Sequence, residues 1–133
     1  MRPDIYGTQD RRLHADVRRL CRLLTKEFKP DATAVNVVFV NDRRIHELNR
    51  RFLKRDRPTN VISFNCDEPH LPGESRLLGE VYVSRDRARV QAREYGVSYA
   101  SELRRLVLHG LLHLLGLTHR EMDPLYRRYL EAL

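Results

Sequence analysis

Three of the six histidines in this 133-residue chain fall at a spacing suited to one metal ion. They are His109, His113 and His119, in the stretch Leu103 to His119, LRRLVLHGLLHLLGLTH. The first two are four residues apart in an apolar run of helical character, and at about 100° per residue they share one helix face about one turn apart. Gly116 follows three residues after His113, and a glycine takes the left-handed conformation that ends a helix and turns the chain back. His119 then returns toward the same point from the far side. The pattern HxxxHxxGxxH supplies three protein ligands and leaves the fourth position of a tetrahedral ion open, as catalytic zinc sites do. The competing reading is a pair of hydrogen-bonded core histidines. A third histidine behind a correctly placed glycine favours the metal.

An open zinc site lowers the pKa of bound water to about 7 and polarises carbonyl or phosphoryl oxygens, so hydrolysis is the expected chemistry. Peptidases of the HExxH kind place a general-base glutamate directly after the first histidine. Here that position is Gly110, which turns the reading away from peptide hydrolysis. Phosphodiester cleavage fits better. It requires a Lewis acid, cationic groups for the developing charge, and a surface that collects polyanions. The formal net charge of +7 and pI near 9.9 provide such a surface, and nearly all the basic residues are arginine. Counterion release draws a basic surface to phosphate backbones, and arginine grips phosphate in a bidentate way. Charge alone favours the blander reading, a solvated, arginine-rich exterior.

The elements that must hold these residues read as alternating helices and strands. Leu13, Val17, Leu20, Leu24 and Phe28 recur at steps of three and four, predicting an amphipathic helix from about Asp10 to Phe28 with His14 on its exposed side. Ala34 to Val40 is rich in β-branched residues and predicts a strand. Asn41 or Asp42 caps a second helix to about Leu53, whose other face carries Arg43, Arg44, Arg50 and Arg51. Thr59 to Asn65 and Leu77 to Ser84 predict two more strands, suited to antiparallel pairing across the loop CDEPHLPGESR, in which His70 has no assigned role. Ser84 caps a helix of Arg85 to about Tyr95, stopped by Gly96. Ser98 opens the histidine-bearing helix, which runs to about Leu115. From its middle onward that helix is apolar almost all round and is therefore expected to be buried, with Arg104 and Arg105 at its exposed start. A last helix from about Met122 to Leu133 has Pro124 in its first turn.

Length and composition bound these readings to one domain, and 41% hydrophobic with 32% charged residues is ordinary for a globular protein. No apolar run approaches the ~20 residues of a membrane span. Cys21 and Cys66 stand alone, suggesting neither a disulfide framework nor a cysteine metal site. MRPDIYGTQDRR has no signal-peptide core, so a reducing cytoplasm is the expected location. Lys54 and Arg55, in the charged run before Pro58, are candidate phosphate contacts, with a solvated turn as the alternative. Glu80, Glu102, Glu121 and Asp123 are the carboxylates nearest the histidines along the chain and are candidates for orienting one of them.

HGLLHLLGLTH, from His109 to His119, closely resembles the HGxLHLxGxxH signature of the YbeY family of bacterial endoribonucleases, also called rRNA maturation factors. RPTNVISF from Arg57 to Phe64 is similar to that family's PTxVLSF segment, LLGEVYVS from Leu77 to Ser84 to its LGDIxIS strand, and ELNRRF from Glu47 to Phe52 to its second-helix pattern. The resemblance implies one α+β domain over residues 1–133, zincin-like, in which a small mixed sheet packs with about five helices. A central buried helix carries two of the metal-ligand histidines. It also implies one zinc ion held by His109, His113 and His119, and single-strand-selective cleavage of RNA in 16S rRNA maturation and ribosome quality control. The implied partners are precursor rRNA, the ribosome and ribosomal proteins. The implied catalytic residues beyond the metal are open, with Lys54, Arg55, Glu80 and Glu102 as candidates. Two departures stand out. The family has Tyr-Asp before its third histidine where this chain has Leu117 and Thr118, and an arginine five residues before the motif's proline where this chain has Leu53. Two alternatives to the nuclease are a ribosome assembly factor with a mainly structural metal and a metallopeptidase-like hydrolase.

Overall fold

The computed structural model describes residues 1–69 and 71–133; His70 lies outside the described residues. Nine elements follow in order: β1 (Arg2–Tyr6), α1 (Arg11–Phe28), β2 (Ala34–Val40), α2 (Asp42–Leu53), β3 (Val61–Asn65), β4 (Leu77–Ser84), α3 (Arg85–Tyr95), α4 (Tyr99–Leu114) and α5 (His119–Glu131). The strands form one mixed sheet in the order β1-β2-β4-β3, with β1 and β4 parallel to β2 and β3 antiparallel to β4. The antiparallel pairing expected of the second and third predicted strands is therefore the β3–β4 pair. The result is a single-domain α+β fold with five helices among the described residues.

Alternation along the strands builds two unequal cores, because successive side chains leave opposite faces of a sheet. Val35, Val37 and Phe39 of β2 and Val81 and Val83 of β4 face the larger core, with Leu13, Val17, Leu20 and Leu24 of α1 and the apolar surface of α4. On the other face, Ile45 and Leu48 of α2 pack on Ile62, flanked by Val40, Phe64 and Tyr82. As expected from its composition, α4 is the buried centre, with Leu106, Val107, Leu108, Leu111 and Leu112 fully excluded from water.

Three boundaries depart from the sequence expectation. β1 was not foreseen. RPDIY offers little strand alternation, yet Arg2 to Tyr6 pairs in register with Ala34 to Val38 at the sheet edge, where Pro3 is tolerated. β3 begins at Val61 rather than Thr59. α5 begins at His119, three residues before Met122, because Thr118 and Glu121 form a reciprocal capping box. Pro124 thus lies inside the helix and not in its first turn, and the Arg120 carbonyl lacks its usual donor four residues on. The N-cap positions of α1, α2, α3 and α4 are Asp10, Asn41, Ser84 and Ser98, each with a side-chain oxygen accepting from the first turn. His14 is half-buried rather than free, with Nε2 2.8 Å from the Thr8 carbonyl.

Candidate metal centre

The site forms where α4 ends and α5 begins. His109 and His113, one turn apart, bring their Nε2 atoms to 3.0 Å, with ring centroids 4.5 Å apart. The helix then closes through a Schellman motif: the Gly116 N–H donates to the His113 carbonyl at 3.0 Å and the Leu117 N–H to the Leu112 carbonyl at 3.3 Å. This closure needs a left-handed residue at position 116, and Gly116 supplies φ of +82°. Thr118 caps the next helix, so His119 is its first residue. The His119 ring centroid lies 5.2 Å from that of His113 and 6.0 Å from that of His109. His109 and His113 are half-buried and His119 is exposed.

Burial pushes the His109 pKa down to about 4, and His113, His119 and Arg105 nearby add to the effect. Burial, and then His119, lowers His113 as well. At neutral pH both rings are therefore uncharged, the form that donates a lone pair to a metal. Two nitrogens bound tetrahedrally to zinc at 2.0–2.1 Å stand about 3.3–3.4 Å apart, so the 3.0 Å pair is close to that spacing. Among the described residues no three His, Cys, Asp or Glu side chains stand together as a finished ion cage. The pair is set, and the exposed third ring stands beside it.

Strand β3 holds α4 in place beneath these rings. The Ser63 hydroxyl donates to the Gly110 carbonyl at 3.0 Å, and the Asn65 amide donates to the Leu114 carbonyl at 2.9 Å. The second bond satisfies one of the carbonyls that a helix end leaves open. Between them, Gly110 lets the helix touch the sheet: a Cβ there would meet Val81 Cγ1 at 2.3 Å and Ser63 Oγ at 3.1 Å. Position 110 thus points at the sheet. A glutamate there would enter the core, so the missing peptidase base has a packing cause.

The other candidates are spread more widely than their sequence positions suggested. Glu102 is buried, 1% exposed, and both its oxygens accept from Arg105, at 2.6 and 2.8 Å. That pairing gives Glu102 a charge-balancing place about two turns before His109. Arg105, expected at an exposed helix start, is half-buried, and Arg104 beside it pairs with Asp16 at 3.1 Å. Glu80 lies on the α2 face of the sheet, since its neighbour Val81 meets Gly110 on the other; it accepts from Asn36 at 3.3 Å. Glu121 belongs to the α5 cap, and Asp123 is exposed. Lys54 and Arg55 follow α2, both exposed. The residue that does reach a histidine is Tyr126 of α5, whose hydroxyl meets His109 Nδ1. Its one sequence signal is a position seven residues after His119, two turns along the same helix face.

The family model described as Endoribonuclease YbeY matches residues 4–128. A protein named Endoribonuclease YbeY in Desulfitobacterium hafniense is 50% identical over 93 residues, covering 65% of this chain and 59% of that relative. One of the same name in Syntrophotalea carbinolica is 43% identical over 112 residues, covering 84% and 74%. The Oenococcus oeni protein of that name is 46% identical over 88 residues, and the match spans 58% of its length. The chain thus spans under two thirds of the length of some relatives it matches. The solution structure of a Thermotoga maritima protein superposes with a TM-score of 0.66 at 31% identity, covering 97% of this chain and 87% of that one. With its histidine helix, its β3 and β4 segments and nearly its whole length matched by one family's pattern, the chain belongs to the YbeY family.

Proposed function

We propose that the protein is a metal-dependent, single-strand-selective endoribonuclease of zincin-like arrangement that acts on precursor rRNA. His109, His113 and His119 are its metal ligands, and His119 rotates inward to complete the set. The observation that carries this reading is the pair of uncharged imidazoles with facing Nε2 atoms beside a third histidine, in a strongly basic chain. A bound divalent ion, zinc by donor chemistry, supplies Lewis acidity toward a phosphoryl oxygen.

The chain's own residues supply binding and position. β3 is the sheet edge, and it touches both relevant surfaces. Ser63 and Asn65 hold the histidine helix on one face, while Phe64 packs edge-on against Phe52 at the end of α2 on the other, ring centroids 5.5 Å apart. Arg43, Arg50 and Arg51 of α2 make no ion pair among the described residues. With Lys54 and Arg55 they form a cationic track along which a phosphate backbone reaches the site across that edge. Leu53 and Thr118 replace an arginine and an aspartate of the family pattern, so the track must supply the cationic contacts that Leu53 does not. An association with the ribosome, its proteins and the cytoplasm follows from this activity; no helix among the described residues is long and apolar enough to cross a membrane.

The test is cleavage of end-labelled single-stranded and duplex RNA by the purified chain, with metal content measured in parallel. Cleavage confined to the single strand, abolished by chelator and by His113→Ala in a folded variant, is the expected result. Cleavage that survives His113→Ala would identify a contaminating nuclease and remove the reading.

A further inference from the structure

Each imidazole at a metal site has a second nitrogen, and what it bonds decides how the ring is held. His109 turns Nε2 toward His113 and Nδ1 away, into contact with the Tyr126 hydroxyl. The two rings lie nearly parallel, 13° apart with centroids at 6.1 Å, so the phenol sits alongside the imidazole and meets it at its edge. Tyr126 is half-buried, and α5 delivers it from the same face as His119. We propose that Tyr126 is the positioning residue of the metal centre: its oxygen accepts from His109 Nδ1–H and so holds the lone pair of Nε2 toward the site.

The proton arithmetic follows from the geometry. A neutral imidazole carries one N–H and one lone pair. For Nε2 to bind a metal it must hold the lone pair, so the proton resides on Nδ1 and the phenol oxygen is its acceptor. The Tyr126 O–H proton then remains free for a second acceptor, a water or a phosphoryl oxygen at the site. Histidines at metal sites ordinarily give this second bond to a carboxylate or a carbonyl. Three of the four candidate carboxylates are committed elsewhere, Glu102 to Arg105, Glu121 to the Thr118 cap and Glu80 to the other face of the sheet, and the fourth, Asp123, is exposed. A phenol beside a guanidinium keeps the place neutral, because Arg105, one turn before His109, already balances Glu102.

The inference rests on the three-histidine reading, and its test separates the two. Long-range proton–nitrogen NMR of the metal-free chain reports the tautomer of His109, and competition with a chromogenic chelator reports zinc affinity. In the wild type His109 carries its proton on Nδ1. In Tyr126→Phe, which keeps the ring and removes the acceptor, the proton moves toward Nε2 and zinc affinity falls about 10- to 100-fold. Tyr126→Glu restores an acceptor and recovers both. An unchanged tautomer in Tyr126→Phe would overturn the inference, as would a changed tautomer with wild-type zinc affinity. A wild type that binds no zinc would instead overturn the metal reading, while the tautomer measurement still decides whether Tyr126 holds the ring.

Discussion

Gly110→Ala sets two physical effects against each other with opposite signs. In an isolated helix the change stabilises by about 0.8–1.0 kcal/mol, because alanine has the higher helix propensity. In this fold the added methyl would lie 2.3 Å from Val81 Cγ1, well inside contact distance. Val81 is β-branched and fully buried in the middle of the sheet, so it has no free rotamer into which to retreat. The helix must move off the sheet instead. Overpacking of this kind costs about 1–3 kcal/mol. The movement also weakens the bond from Ser63 to the Gly110 carbonyl, worth about 0.5–1.5 kcal/mol. Taken together, Gly110→Ala is destabilising by about 1–3 kcal/mol, or a fall in Tm of about 4 °C for each kcal/mol in a domain of this size. Urea unfolding of the wild type, Gly110→Ala, Val81→Ala and the double variant measures both the cost and its cause. Val81→Ala alone removes packing and costs about 2 kcal/mol. The double variant should lose at least about 1 kcal/mol less than the sum, since the clash and the void relieve each other. A Gly110→Ala protein as stable as the wild type or more so would refute the close approach of α4 to the sheet. Additive costs would show that Val81 is not the obstacle.

Thr118→Ala removes the side chain that accepts from Glu121 N–H at 3.2 Å and should cost about 1 kcal/mol in unfolding free energy, while leaving the fold intact by circular dichroism. Cys21 is fully buried and its thiol is pushed up to about 12 by burial, whereas Cys66 is partly open. A thiol reagent at neutral pH should therefore modify Cys66 in the native chain and Cys21 only after denaturant is added, and fast native labelling at Cys21 would contradict the α1 packing. Glu27 is held below the ordinary carboxylate range, first by the Tyr129 hydroxyl and then by Arg128. A lowered folded pKa contributes stability above the unfolded value near 4.5, lost as the pH falls through the folded one. Glu27→Gln should thus flatten the acid limb of the stability profile below that pH, and a limb as steep as the wild type's would locate the acid sensitivity elsewhere.

Local periodicity and capping chemistry were legible in the sequence. α1 to α4, and strands β2 and β4, fall within about a residue of where leucine spacing, β-branched runs and N-cap residues put them, because each depends on neighbours within one or two turns. So did the proximity of His109 to His113, which helix geometry sets by itself, and the reversal at Gly116. Contacts made across the fold were not. β1 depends on pairing with β2, some thirty residues on, and RPDIY has no local pattern that announces it. Glu102 reads from the sequence as a carboxylate near the histidines, and only burial beside Arg105 commits it to an ion pair. Gly110 reads as a missing base, and only Val81 across the interface shows that a side chain has no room there.

By itself, the sequence determined the spacing and identity of the three histidines and the glycine turn between them. Tertiary structure decided what surrounds them. Clamping of α4 by Ser63 and Asn65 and the arrival of Tyr126 at Nδ1 both depend on how helices dock against the sheet and each other. Side-chain reach along one helix is fixed by a repeat of 3.6 residues per turn. Reach between helices depends on the packed core that separates them, and no single stretch of sequence contains that core.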